Sequence, residues 1–277
     1  MPTSTARQRK PRATQTAKST PAAKTEYVGD PNFMTSIARG LEVMRAFSGH
    51  RRKQTISQIS LRTGLSRAAV RRCLYTLAKL GYAAQENDGY VLRPKVLTLG
   101  YAYLSSTSLA NAAQPLLDNL RDEVQEACSV GVLDGNKVVY IARAETQRVM
   151  SVMLRVGSRI PAYCTSLGRV LLTDLPAPAL DAYLAQTPLK ALTRHTVTSR
   201  KRLLDLLAAI RKDGYSINDQ ELEPGLRSIS VPIRDHAGRT VAALNVGVQT
   251  ARVSMEDLRT RILPALHATA RELSMQI

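Results

Sequence analysis

The stretch from Thr55 to Leu92 constrains the chain more than any other, because it sets two helix starts on either side of one tight stop. Thr55 with Gln58 three residues on forms a capping box, each side chain satisfying the other residue's backbone amide. Ile56 and Ile59 face inward, and Gly64 stops the helix because glycine accepts the left-handed conformation of a C-cap. Leu65 precedes a second cap at Ser66 and can staple onto Val70, four positions into the next helix. There Val70, Cys73, Leu74 and Leu77 recur at i, i+3, i+4 and i+7 and form the buried stripe. Arg67, Ala68, Arg71, Arg72 and Tyr75 are left facing outward. Tyr82 to Gln85 and Tyr90 to Leu92 then flank Glu86, Asn87, Asp88 and Gly89, an Asp-Gly hairpin signal. Ahead of this, Thr35 is expected to cap a first helix whose face is Ile37, Leu41, Met44 and Phe47 and which Gly49 ends. The pattern is a helix-turn-helix followed by a wing, over residues 31–93.

Charge points the same way. The chain carries 39 Lys and Arg against 22 Asp and Glu, a net +17. Residues 1–100 hold 18 basic and 5 acidic side chains, 18 − 5 = +13, which leaves only +4 for the rest. A polyanion-binding first part joined to a nearly neutral second part is implied. Arginine forks match guanine edges and phosphates, so Thr55, Ser66, Arg67, Ala68, Arg71, Arg72, Tyr75 and Asn87 are the candidate DNA contacts. Arg67 and Arg71 are placed on bases, and Arg72, Tyr75 and the loops on phosphate. Residues 1–30, rich in Thr, Ala, Lys, Arg and Pro, read as a disordered tail, either a solubilising leader or a basic arm.

Beyond Arg93-Pro94 the pattern of Val96, Leu97, Leu99 and Leu104 predicts a linker helix over 94–110, continuing through Leu116 to Leu120. Residues 111–277 read as strands at Cys128–Leu133, Lys137–Ala142, Met150–Leu154, Leu226–Ile233 and Thr240–Val248, with helices grouped between them and at the C-terminus. Hairpins with segregated helices indicate an α+β domain with an antiparallel sheet. Cys73, Cys128 and Cys164 form no close pair, and no apolar leader or membrane-length run occurs, so a reducing cytoplasm and no membrane are expected. Catalysis has no visible carrier: Ser166 and Gly168 mimic a nucleophile elbow, but Cys164 replaces its first glycine. His195, His236 and His267 are scattered, no phosphate-binding glycine loop is present, and neither metal nor cofactor is indicated. The segment does offer an anion cradle, because a helix starting at Thr165 to Leu167 presents free amides, with Arg155 and Arg159 shortly upstream. Capping alone explains Thr165 and Ser166 equally well.

Residues 33–277 resemble the IclR family of bacterial transcriptional regulators. The likeness rests on TSIARGLEVMRAF, GLSRAAVRRCLYTLAKLGY, RPKVLTLGYAYL, VGSRIPAYCTSLGRVLL and DGYSINDQELEPGLRSISVPIRDHAGRTVAALNVGV, in that order. AYCTSLGRVLL and GLRSISVPI are most similar to the Pca and Pob branch, which regulates aromatic-acid and β-ketoadipate catabolism. The resemblance implies a winged helix-turn-helix, a linker helix and a GAF-like effector-binding domain, assembled as a dimer or a dimer of dimers. It implies promoter DNA as partner, RNA polymerase as a candidate partner, and a small carboxylate effector such as protocatechuate, 4-hydroxybenzoate or β-ketoadipate. That effector would lie against Met153, Arg155, Tyr163, Thr165, Ser166, Asn218, Leu226, Ser228 and Asn245. The chain departs from the family pattern at Asn218, usually acidic, and at Arg234. An architectural DNA binder without a ligand and a small-molecule enzyme with a basic tail are the competing readings, and activation and repression are equally compatible with the same DNA contacts.

Overall fold

The structure is a computed structural model describing residues 30–47, 52–146 and 154–277. The chain divides between Gly100 and Tyr101 into two compact units.

The first unit runs α1 (Thr35–Arg45), β1 (Lys53–Gln54), α2 (Ile56–Thr63), α3 (Arg67–Lys79), β2 (Ala83–Glu86) and β3 (Gly89–Leu92). Its local signals close as the residues dictate. The Gln58 amide donates to Thr55 Oγ1 at 3.2 Å and the Thr55 amide to Gln58 Oε1 at 2.8 Å. Gly64 ends α2 at φ 67°, and Ser66 Oγ accepts from the Ala69 amide at 3.2 Å to open α3. Val43, Ala46, Phe47, Ile59, Leu65, Val70, Leu74 and Leu77 form one core; each large aliphatic among them contributes roughly 1.5–3 kcal/mol by leaving water.

Three sequence expectations are corrected here. Met34, not Thr35, takes the N-cap position of α1, and it makes no side-chain bond. Phe47 is buried, but Ile37 and Leu41 are exposed, because α1 turns Val43 and Ala46 toward the core instead; Gly49 lies outside the described residues. In the hairpin Glu86 pairs with Gly89, so Asn87 and Asp88 make the turn, with Asn87 at φ 53°. Gly89 serves close approach rather than turning, since a Cβ there would press on the Lys53 side chain of β1. That strand gives the sheet its order β1-β3-β2, and Lys53 pairs with Asp88 at 2.8 Å.

A single 3-10 turn at Pro94–Val96 leads into α4 (Leu97–Ser106), which straddles the division of the chain. The helical pattern expected to run on to Leu120 is interrupted: Thr107 leaves helical geometry at φ −108°, ψ 108°, and α5 (Ser108–Val124) starts afresh. Residues 1–29, and with them nearly all of the tail, lie outside the described residues.

The second unit continues with β4 (Ala127–Asp134), β5 (Lys137–Ala144), β6 (Arg159–Pro161), α6 (Ser166–Thr173), α7 (Ala177–Gln186) and α8 (Arg200–Asp213). It ends with β7 (Ser216–Asp219), β8 (Leu226–Arg234), β9 (Thr240–Gln249), α9 (Met255–Asp257), a π-helical turn and α10 (Leu263–Ser274). Six antiparallel strands lie in the order β6-β5-β4-β9-β8-β7. Of the strand expected at Met150–Leu154, residues 150–153 are outside the described residues and Leu154 belongs to no strand; β6 is the edge instead. Side chains alternate between sheet faces. Ile229, Val231 and Ile233, with Leu244, Val246 and Val248, pack on α5 and α10, and the other face meets α6, α7 and α8. Among the described residues no helix is long and apolar enough to cross a membrane.

Candidate anion pocket and nucleic-acid interface

The residues that interrupt the apolar alternation of the sheet fall into register with one another. Arg143 pairs with Ser129, Ser129 with Asn245, Asn245 with Ser230 and Ser230 with Ser216, a single polar row across β5, β4, β9, β8 and β7. Beside it Asn218 pairs with Ser228. The N-terminus of α6 stands over both rows: Ser166 Oγ lies 2.7 Å from Ser228 Oγ and accepts from Ser230 Oγ at 2.7 Å. Thr165 caps α6, its Oγ1 accepting from the Gly168 amide at 3.3 Å and donating to the Pro161 carbonyl at 2.9 Å. The amides of Ser166 and Leu167 are therefore in the first turn, where no intrahelical acceptor exists and the helix dipole favours negative charge.

Packing fixes that position. A Cβ on Gly168 would collide with the Ala162 backbone, so only glycine lets α6 approach the preceding loop this closely. Arg169, 2% exposed, forms a two-pronged bond to Glu221 at 2.6 and 2.7 Å and donates from Nε to the Tyr163 carbonyl at 2.9 Å. Glu221 also accepts from Asn218 Nδ2 at 3.2 Å, and the same amide group donates to the Cys164 carbonyl at 3.0 Å. Each nitrogen of the buried guanidinium thus has an acceptor, and such hydrogen bonding favours tolerance of a buried pair.

Between α6 and the sheet is a small cavity that opens to solvent. Its walls include Thr165, Ser166, Asn218, Leu226, Ser228 and Asn245 of the expected set, with Tyr140, Arg143 and Ile160 added. Among the described residues no carboxylate lines it. Burial pushes the Tyr140 hydroxyl up to about 12, against a smaller opposing effect of Arg143, so Tyr140 stays neutral beside the guanidinium. Asn245 is 7% exposed, and its Oδ1 has no hydrogen-bond partner among the described residues. Free amides, a guanidinium and no acid make a cavity suited to an anion.

Two expected contacts fall elsewhere, and a third is not described. Met153 lies outside the described residues. Arg155 is exposed and forms no part of the cavity wall; its amide donates to Ser158 Oγ at 2.8 Å. Tyr163 packs in the core behind α6 and donates its hydroxyl to the Lys190 carbonyl at 2.6 Å. Arg159, the other half of the expected cradle, is paired with Asp134. The guanidinium at the cavity is Arg143, which sequence reasoning missed although a lone cation inside the apolar run VVYIARA was its signal.

On the first unit, Arg67, Ala68, Arg71, Arg72 and Tyr75 all lie exposed on α3, and Asn87 is exposed at the hairpin tip. Arg67, Arg71 and Arg72 form no ion pair among the described residues, leaving three guanidinium groups for an external anion. Thr55 and Ser66 spend their hydroxyls on capping, which leaves their helix N-termini as amide donors. Ala68 and Arg72 border a groove against Ser36, Ile37 and Arg39 of α1, whereas Arg67, Arg71 and Tyr75 do not. The Lys79 ammonium sits 5.5 Å from the Tyr75 ring centre. Cys73 is half-buried and its thiol is shifted up by burial.

Comparison with known proteins agrees with both halves. The IclR helix-turn-helix domain matches residues 36–87, and the bacterial transcriptional regulator IclR C-terminal domain matches residues 101–275. The Pca regulon regulatory protein of Pseudomonas putida is 51% identical over 252 residues, 91% of this chain and 87% of that protein. A transcriptional regulator from Rhodococcus sp. RHA1 superposes with a TM-score of 0.79 at 46% identity, covering 88% of this chain and 98% of that one. The inducer-binding domain of a double mutant of the PobR transcription factor from Acinetobacter, in complex with 3-hydroxybenzoic acid, superposes at 0.57 with 36% identity over 59% of this chain and 96% of that one. A chain matched in both its helix-turn-helix and its C-terminal domain, by relatives of nearly its own length, belongs to the IclR family of bacterial transcriptional regulators.

Proposed function

We propose that this regulator binds promoter DNA through α3 and that a small carboxylate, an aromatic-acid catabolite such as protocatechuate, 4-hydroxybenzoate or β-ketoadipate, controls that binding from the cavity beside α6. The observation that carries this reading is the cavity wall, where Thr165, Ser166, Ser228 and Asn245 converge on the α6 amides with no carboxylate among them. The Pca regulator and the 3-hydroxybenzoic acid complex support the choice of acid class. In this mechanism a dimer sets two α3 helices in successive major grooves of a pseudo-palindromic site, with Arg67 and Arg71 on bases and Arg72 and Tyr75 on phosphate. The effector stabilises one arrangement of the dimer over the other, and α4 carries that preference to the DNA-binding pair. The test is a thermal-shift panel of the three acids with glyoxylate and pyruvate as outsiders. Stabilisation by one aromatic-pathway acid, reduced by Thr165→Ala, is the expected result. Stabilisation by glyoxylate or pyruvate alone would remove the aromatic assignment.

A further inference from the structure

The α6 amides meet one acidic group of an effector, but the same cavity holds a second donor set at its other end. Arg143 is 10% exposed at its side chain, and its Nη1 donates to Ser129 Oγ at 2.7 Å. Its only ion-pair partner among the described residues is Glu145 at 3.1 Å, whose side chain is 58% exposed and therefore screened by water. Next along the row comes Asn245, nine-tenths buried, whose Oδ1 is an acceptor without a partner among the described residues and suits a hydroxyl hydrogen. Ser129 on β4 and Ser230 on β8 are two strands apart in that row, about 10 Å at the backbone. Asn245 on β9 fills the position between them, so Arg143 and the α6 N-terminus stand at opposite ends of the row.

We infer that Arg143 is a specificity-determining residue that holds a second oxygen-bearing head of the effector, so that the cavity selects two-headed acids over one-headed acids of the same size. The inference rests on the carboxylate reading of the cavity given above. A carboxylate and a phenol both supply the required acceptor to a guanidinium oriented by Ser129. Two matched pairs separate these sources: adipate against hexanoate, and 4-hydroxybenzoate against benzoate.

Calorimetric titration of the full chain with these four acids is the test, on wild type, Arg143→Gln and Ser129→Ala. Wild type is expected to prefer the two-headed member of at least one pair by about tenfold or more, the value of a charge-assisted hydrogen bond. Arg143→Gln brings that pair to within about threefold, because the two-headed acid loses more affinity than the one-headed acid. Ser129→Ala, which leaves the charge in place, gives an intermediate preference and keeps the test open if Arg143→Gln folds poorly. The pair that responds identifies the second head as carboxylate or phenol. Binding without preference in wild type, or a preference that survives Arg143→Gln, overturns the inference alone. Absence of binding by all four acids overturns the carboxylate reading and the inference together.

Discussion

Arg71 and Arg72 are neighbours in sequence but point to different sides of α3, Arg72 toward the groove against α1 and Arg71 away from it. Arg71→Ala is expected to cost about 1–3 kcal/mol on a selected duplex and to relax preference at one base pair, while Arg72→Ala weakens selected and scrambled duplexes alike. Fluorescence anisotropy with both duplexes checks this, and equal losses for the two variants would end the division of roles. Gly168→Ala tests a second residue-scale claim. Because the added methyl meets backbone at Ala162 rather than a flexible side chain, it is expected to cost about 1–3 kcal/mol in urea unfolding; an unchanged midpoint would show that α6 has room to shift. The arginine at the cavity was the residue least legible in the sequence. Arg155 and Arg159 are close to Thr165 along the chain, but Arg143 reaches the cavity through strand register, a pairing of residues far apart that no local pattern displays. Thr165, Ser166, Ser228 and Asn245, by contrast, were placed through the family resemblance, and the cavity brings them together.

The elements best read in advance were those whose ends are marked by local chemistry. The capping box at Thr55, the glycine stop at Gly64 and the cap at Ser66 each involve residues within a few positions of one another, so the sequence displays them in full. Two-residue β1 and three-residue β6 carry too few positions to show a period, and only pairing with β3 and β5 makes them strands. For α1 the difficulty was different. Ile37, Leu41, Met44 and Phe47 make one apolar face and Val43 and Ala46 lie beside it; tertiary packing buries Val43, Ala46 and Phe47, packs Met44 partly against them and leaves Ile37 and Leu41 exposed. At this scale α6 invites two measurements. Thr165→Ala removes a cap and is expected to cost about 1 kcal/mol, with weaker acid binding than in wild type. Glu221→Gln leaves the Arg169 guanidinium buried without its counter-charge and is expected to cost about 3–5 kcal/mol, read as a lowered urea midpoint. A midpoint equal to that of wild type would show that Arg169 finds water in the variant.

The two units differ in charge, a basic helix-turn-helix part and a nearly neutral C-terminal part. His267 on α10 marks how the second unit should answer to pH. Burial, and then the charge of Arg271, lowers its affinity for a proton below the ordinary value of 6.5. Its neutral form is therefore favoured in the folded state, so its contribution to stability is complete above about pH 6.5 and is lost as the pH falls through its depressed folded value. Melting temperature is expected to drop from pH 7 to pH 5 in wild type and to drop less in His267→Gln; parallel curves would exclude this residue as the cause. The central claim joins the two units, since an acid held at α6 must alter what α3 does. The most direct measurement is the affinity of the full chain for a duplex selected from random sequence, with and without the acid that stabilises it, in wild type and Thr165→Ala. The account predicts a change of about 5- to 150-fold in wild type, the usual range of coupling between sites, and a markedly smaller change in the variant at the same acid concentration. An acid that binds and leaves DNA affinity unchanged, or that acts equally on both proteins, would contradict it.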